Sequence, residues 1–213
     1  VLSGLYSVNA RKGGNVSPMP ADHSQNLTGI WPKKVVNYKT VMSDAASGFT
    51  SVTYPFPVIR MADLYLMYAE ALNEKGEDYA TVLPWIDMVR ERSGLQGVQE
   101  SWDQYVGKSK YATQTGLRQI IMQARRIELA FEGHYFWDVR RWKTATTELT
   151  QPLTGWKVRY GETDVDYYSE NLVLVRDFTP KMYFWPIDIG ELRKDPNLVQ
   201  NYGWYVIKET FDL

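Results

Sequence analysis

The sequence predicts a mainly α fold: a tetratricopeptide-like helical scaffold with long loops and a minor two-stranded β element. Three observations carry that expectation. Apolar residues recur at three- and four-residue steps through most of residues 61–142, the period of a helix with one buried face. Two of these stretches are neighbours across a short break and together have the size of one helix–turn–helix repeat unit. Strand-like sequence is confined to short runs near either end.

In order, residues 1–53 are loop-rich, and NARKGGNVSPMPADHSQN reads as one long loop. Val35, Val36 and Val41 point to short extended segments. Pro55 and Pro57 punctuate the entry to a first helix. Its stripe is Met61, Leu64, Tyr65, Tyr68, Ala69 and Leu72, and it closes near Gly76. A proline is harmless only in a helix's first turn, so Pro84 places the second helix between a Thr81 cap and Gly94. Val82, Trp85, Ile86 and Val89 form its inner face, and the short connection makes the two helices antiparallel. No second copy follows in register, so a repeat array is not read here. Residues 95–114 form a polar connector, in which WDQYV either makes a helical turn packing Trp102 and Tyr105 inward or displays them.

Residues 115–144 are the centre of the chain. Thr115 caps a helix whose buried face is Leu117, Ile120, Ile121, Ala124, Ile127 and Phe131, with Gly133 at its left-handed end. A short second helix carries Tyr135, Phe136, Val139 and Trp142. Arg125, Arg126, Glu128, Glu132, Asp138, Arg140 and Arg141 are interleaved with these apolar residues. Opposite charges at helical spacing pair with each other, so this cluster is expected to be a structural ion-pair lock, partly buried and in places bidentate. On that expectation Arg126→Ala lowers stability and leaves ligand affinity unchanged. Beyond it, ENLVLVRDF reads as a strand and MYFWPID as a second extended segment ended by Pro186, before a short helix in IGELRKDPN. The domain organisation is therefore one region over 1–213: loop-rich to 53, a helical core over 54–144, and a loop, β and C-terminal segment over 145–213.

Composition excludes several functions. The 213 residues hold 24 Lys and Arg against 25 Asp and Glu, so no electrostatic case exists for nucleic acid. There is no cysteine, hence no thiolate chemistry, and the two histidines are far apart, so neither a metal nor another cofactor is expected. No apolar run is long enough to span a bilayer, and no stretch reads as a signal peptide. The opening VLSGLYSVNARKGGN reads as mid-protein sequence, so a C-terminal portion of a longer protein is expected. Aromatic content is high at 14%, with 8 Trp and 15 Tyr. Aromatic rings fill cores, and they also stack on ligands such as sugars that combine an apolar face with a polar edge.

Five blocks in order carry a resemblance: TGIWPKK, PVIRMADLYLMYAEALNE, IDMVRERSGL, ARRIELAFEGHYFWDVRRW and YFWPIDIGELRKDPNLVQNYGW. Together they resemble the SusD/RagB family over about residues 25–205. Ala124, where the family commonly has Glu, and Tyr202, where it has Pro, depart from the pattern. The resemblance implies an α/α superhelical scaffold capped by variable loops. It implies a lipoprotein on the outer-membrane surface of Bacteroidetes, anchored through a lipid on an N-terminal segment outside this chain. It implies capture of an oligosaccharide for a SusC-like TonB-dependent transporter, with a peptide as the alternative ligand and no catalysis.

Family sites are built from variable loops, so contact residues come from physical reasoning instead. Trp31, Trp102, Trp156 and Tyr160 lie in segments without helical periodicity, where a flat ring is available to stack on a sugar. The rival enzyme reading, a glycoside hydrolase, needs two carboxyls facing each other across the bond. Glu128 and Glu132 are neighbours on one helix face, and no other catalytic motif appears. A third reading, a helical scaffold that binds only protein, is opposed if the loop aromatics are exposed.

Overall fold

The computed structural model describes residues 28, 32, 34, 37, 39–42, 49–107, 110–158 and 161–204. They form two compact units, residues 32–137 in the first and residues 28 and 138–204 in the second. Among the described residues no helix is long and apolar enough to cross a membrane.

The first unit is helical. Its α1 (Met61–Lys75) ends at Gly76, where closure was expected, and a φ of +89° puts that glycine in the left-handed conformation. Both faces of α1 are apolar, so periodicity alone does not say which one turns inward. The structure buries Ala62, Leu66, Ala69 and Asn73, leaving Met61, Leu64 and Tyr68 of the expected stripe exposed. Next, α2 (Tyr79–Arg92) is capped by Asp78, whose carboxylate accepts from the Thr81 amide at 2.8 Å. The cap is therefore Asp78 instead of Thr81, and Pro84 lies past the first turn, on the exposed side. Val82, Ile86 and Val89 face inward as expected, with Trp85 half-buried against them.

The polar connector contains a true helix, α3 (Val98–Tyr105). The Asp87 carboxylate accepts from the Val98 amide at 2.7 Å and so fixes where α3 begins. Trp102 turns inward and Tyr105 outward, so the two aromatics separate. Then α4 (Gln114–Glu128) starts two residues earlier than expected, because the cap is Thr113 instead of Thr115, its Oγ1 accepting from the Gly116 amide at 3.1 Å. It also ends earlier. The Glu128 main-chain carbonyl accepts from Lys34 Nζ at 2.5 Å and Arg60 Nη2 at 3.2 Å, so the last turn is satisfied from outside. Phe131 then takes a φ of +65° and Gly133 one of +84°. Phe131, expected on the buried face, is exposed past that end, and Ile127, in the last turn of α4, is exposed as well. The core of this unit joins Leu66, Val82, Ile86, Val98, Leu117 and Ile121 from all four helices. A small antiparallel pair, β1 (Val41–Met42) with β2 (Phe49–Thr50), completes it.

A further helix, α5 (His134–Arg141), carries the chain across the boundary between units. The second unit holds α6 (Ala145–Glu148), β3 (Leu153–Trp156), α7 (Asp164–Tyr167), β4 (Glu170–Leu174) and α8 (Ile189–Lys194). The predicted strand in ENLVLVRDF is β4, but its antiparallel partner is β3 and not MYFWPID. Pro180–Tyr183 forms a 3-10 turn instead, with proline opening it. Arg140 holds that turn by donating to the Met182 and Tyr183 carbonyls at 2.6 and 2.5 Å.

Candidate functional site

The charge cluster of the central stretch resolves into several separate arrangements. Arg125 donates to Asp63 at 2.8 Å, with the arginine side chain 3% exposed, joining α4 to α1. Arg126 is exposed, its guanidinium 4.8 Å from the Tyr135 ring centre. The buried arginine is thus Arg125, one position from the residue singled out from sequence. Arg60 donates to Glu132 through Nε at 2.9 Å and Nη2 at 2.8 Å, and to Glu128 through Nη1 at 2.8 Å. Lys34 reaches Glu132 at 2.5 Å and Arg92 reaches Glu128 at 2.7 Å. Burial alone would raise the Glu132 carboxyl, but hydrogen bonds from Arg60 and Lys34 outweigh it and hold the group below its ordinary value. Asp138 pairs with Arg141 at 2.8 Å, the local kind of pair expected. The partners Lys34, Arg60, Asp63 and Arg92 come from distant sequence, and helical spacing within residues 125–141 carries no signal for them.

This arrangement bears on catalysis. Glu128 and Glu132 share one guanidinium, so their oxygens are occupied by cations and do not face each other across an open cleft. That is opposite to the two-carboxyl geometry of glycoside hydrolysis.

Of the aromatic candidates, Trp31 and Tyr160 lie outside the described residues. Trp102 lies on α3, half-buried against the first unit's core, with the Arg90 guanidinium 5.6 Å from its ring centre. It is a packing residue in a helix instead of a loop aromatic. Trp156 lies in the second unit and is 37% exposed.

Trp156 belongs to a built surface. It ends β3, and Glu170 stands directly across from it in the β4 register. Its main-chain N–H donates to the Thr28 carbonyl at 3.0 Å. Gly155 is required by the same approach, since a Cβ there would lie 2.8 Å from the Thr28 Cα. The connection from β3 to β4 is held from within. Thr163 caps α7 through the Asp166 amide, and Lys157 Nζ bonds Asp166 at 2.8 Å. That lysine, chiefly through its hydrogen bond, holds the Asp166 carboxyl below its ordinary value. Tyr167 and Val158 bury together beneath. Tyr168 turns outward, 61% exposed, and meets Trp156 edge-on at 5.5 Å and 82°. The outcome is an exposed aromatic corner, Trp156 and Tyr168, beside the exposed Glu170. Sequence reasoning missed Tyr168 and Glu170. The Tyr167–Tyr168 doublet held the signal, because neighbours in a short turn over a small core point opposite ways.

The family model described as SusD family matches residues 9–204. SusD-like protein P25 of Formosa agariphila is 39% identical over 144 residues, covering 68% of this chain and 23% of that protein. SusD-like protein P2 of the same organism is 35% identical over 140 residues, covering 65% of this chain and 27% of its own. Among solved structures, a SusD-like carbohydrate binding protein from Bacteroides fragilis is similar with a TM-score of 0.54 and 32% identity. That match covers 67% of this chain and 28% of the other. A further SusD-like protein of Bacteroides fragilis matches with a TM-score of 0.56 and 29% identity, over 72% of this chain and 28% of that one. The chain thus spans about a quarter of the length of the relatives it matches.

Proposed function

This chain belongs to the SusD family, and from that premise we propose that it binds an oligosaccharide at the aromatic corner of the β3–β4 ribbon. The observation that carries the reading is the exposed Trp156–Tyr168 pair beside Glu170. Either ring offers a face to the C–H side of a sugar, and the Glu170 carboxylate supplies acceptors to its hydroxyls. The similarity to a SusD-like carbohydrate binding protein supports the same ligand class. A small open surface of this kind supports micromolar or weaker affinity, about −8 kcal/mol at best.

Binding here is capture without chemistry. Glu128 and Glu132 are neutralised by arginines and lysine, and this supports a non-catalytic role. In the whole protein, the captured glycan passes to a SusC-like TonB-dependent transporter in the outer membrane, and a lipid on a segment outside this chain holds the protein at the cell surface. Family membership supports that setting. The test is incubation with soluble oligosaccharides, following tryptophan fluorescence and free reducing ends together. A saturable change in fluorescence without new reducing ends is expected. Release of reducing ends would overturn the non-catalytic reading, and a flat response to every oligosaccharide would overturn the ligand class.

A further inference from the structure

In the first unit, a pocket of about 340 Å³ opens between the α1–α2 turn and the residues that lead into α4. Glu77, Asp78 and Tyr79 line one side, and Tyr111, Thr113 and Gln114 line the other. The walls are fixed before any ligand arrives. Tyr111 is buried, its hydroxyl donates to Asp103 at 2.8 Å, and its ring meets that of Tyr79 edge-on at 5.3 Å. Gln114 Nε2 donates to the Asn73 carbonyl at 2.7 Å, and Asn73 Nδ2 returns a bond to the Gln114 carbonyl at 3.1 Å. Such preset walls reduce the ordering cost of binding. Tyr79 is 37% exposed, and among the described residues its hydroxyl makes no hydrogen bond.

The lining selects by charge. The Asp78 carboxylate opposes an anion, while Glu77 is paired with Lys75 at 2.6 Å. The N-terminal ends of α2 and α4, which lie in the same lining, oppose a cation. Acceptors on the two carboxylates and the hydroxyl of Tyr79 share the lining, which suits hydroxyl groups, since each both donates and accepts. The tyrosines supply an apolar ring surface. The volume falls at the low end of the roughly 300–1,000 Å³ of small-molecule sites, room for one ring and not for a chain.

We propose that this pocket takes a single neutral sugar ring of hexose size, a carbohydrate site additional to the aromatic corner of the second unit. The proposal rests on the glycan-binding reading of the family, and the test separates the two. Amide resonances of the protein are followed while glucose, galactose, mannose and, separately, a soluble oligosaccharide are added. A saturable shift of Tyr79, Thr113 and Gln114 with at least one hexose is expected. Tyr79→Ala weakens it by about tenfold or more, and Tyr79→Phe, which keeps the ring, weakens it less. Silence at these residues with all three hexoses, while Trp156 and Tyr168 respond to the oligosaccharide, overturns the pocket alone. Hexose shifts that are unchanged in Tyr79→Ala also overturn it. Silence at both places overturns the pocket and the glycan reading together.

Discussion

Arg125 and Arg126 stand side by side in sequence and have different physical environments. Arg125 is 3% exposed against Asp63, so deleting it leaves a buried carboxylate without its cation. Arg125→Ala is expected to cost about 3–5 kcal/mol in urea denaturation, and Arg126→Ala clearly less. Equal costs would show that the buried pair is not special. The charges were legible as a group from their interleaving with apolar residues. Their partners were not, because Asp63, Arg60 and Lys34 meet them only through the tertiary fold. Gly155 is a second residue-scale case. Gly155→Ala drives a methyl to 2.8 Å from the Thr28 Cα, and a loss of about 1–3 kcal/mol is expected from the displaced backbone.

Elements were legible where one signal dominated and misplaced where two competed. Gly76 fixed the end of α1, since left-handed backbone there has no better occupant. Which face of α1 is buried was hidden, because both faces carry large apolar residues. The proline points to a start of α2 near Thr81, but Asp78 provides a cap upstream and Pro84 falls past the first turn. Two changes examine that helix. Asp78→Ala removes the cap bond to Thr81 and is expected to cost about 1 kcal/mol. Pro84→Ala restores a helical N–H at an exposed interior position and is expected to stabilise by up to about 3 kcal/mol. A destabilised Pro84→Ala would mean that the proline ring packs against something essential.

For the molecule as a whole, the charge arrangement sets its response to acid. Glu74, Glu132 and Asp166 all have carboxyls below their ordinary values in the fold. For Glu74 the chief cause is the Arg118 hydrogen bond. Groups depressed in this way contribute stability that is complete above the unfolded-state value, about 4, and is lost as pH falls through the native one. Asp87 works in the opposite sense. Burial raises it, so its contribution declines as pH rises from the unfolded value through the native one. The depressed groups outnumber it, so urea midpoints should fall on acidification. The cost of Glu132→Gln, measured at neutral pH, should shrink on the same acid limb. A cost independent of pH would contradict the ionised arrangement around Arg60.

The site was less legible than the fold for a related reason. Helices follow from short-range periodicity, but an exposed aromatic corner depends on which of two adjacent tyrosines the turn of α7 directs outward. Trp156 was legible as an aromatic outside any helix, and Tyr168 became visible only in three dimensions. That corner is the centre of the functional account, and Tyr168 is the cleaner probe because it is 61% exposed. The most direct test is calorimetric titration of the protein and its Tyr168→Ala variant against soluble glycans, with a peptide mixture alongside. Binding heat from at least one glycan, lost in Tyr168→Ala at an unchanged melting temperature, is the predicted result. Heat that survives in Tyr168→Ala, or heat from peptides and none from glycans, would contradict it.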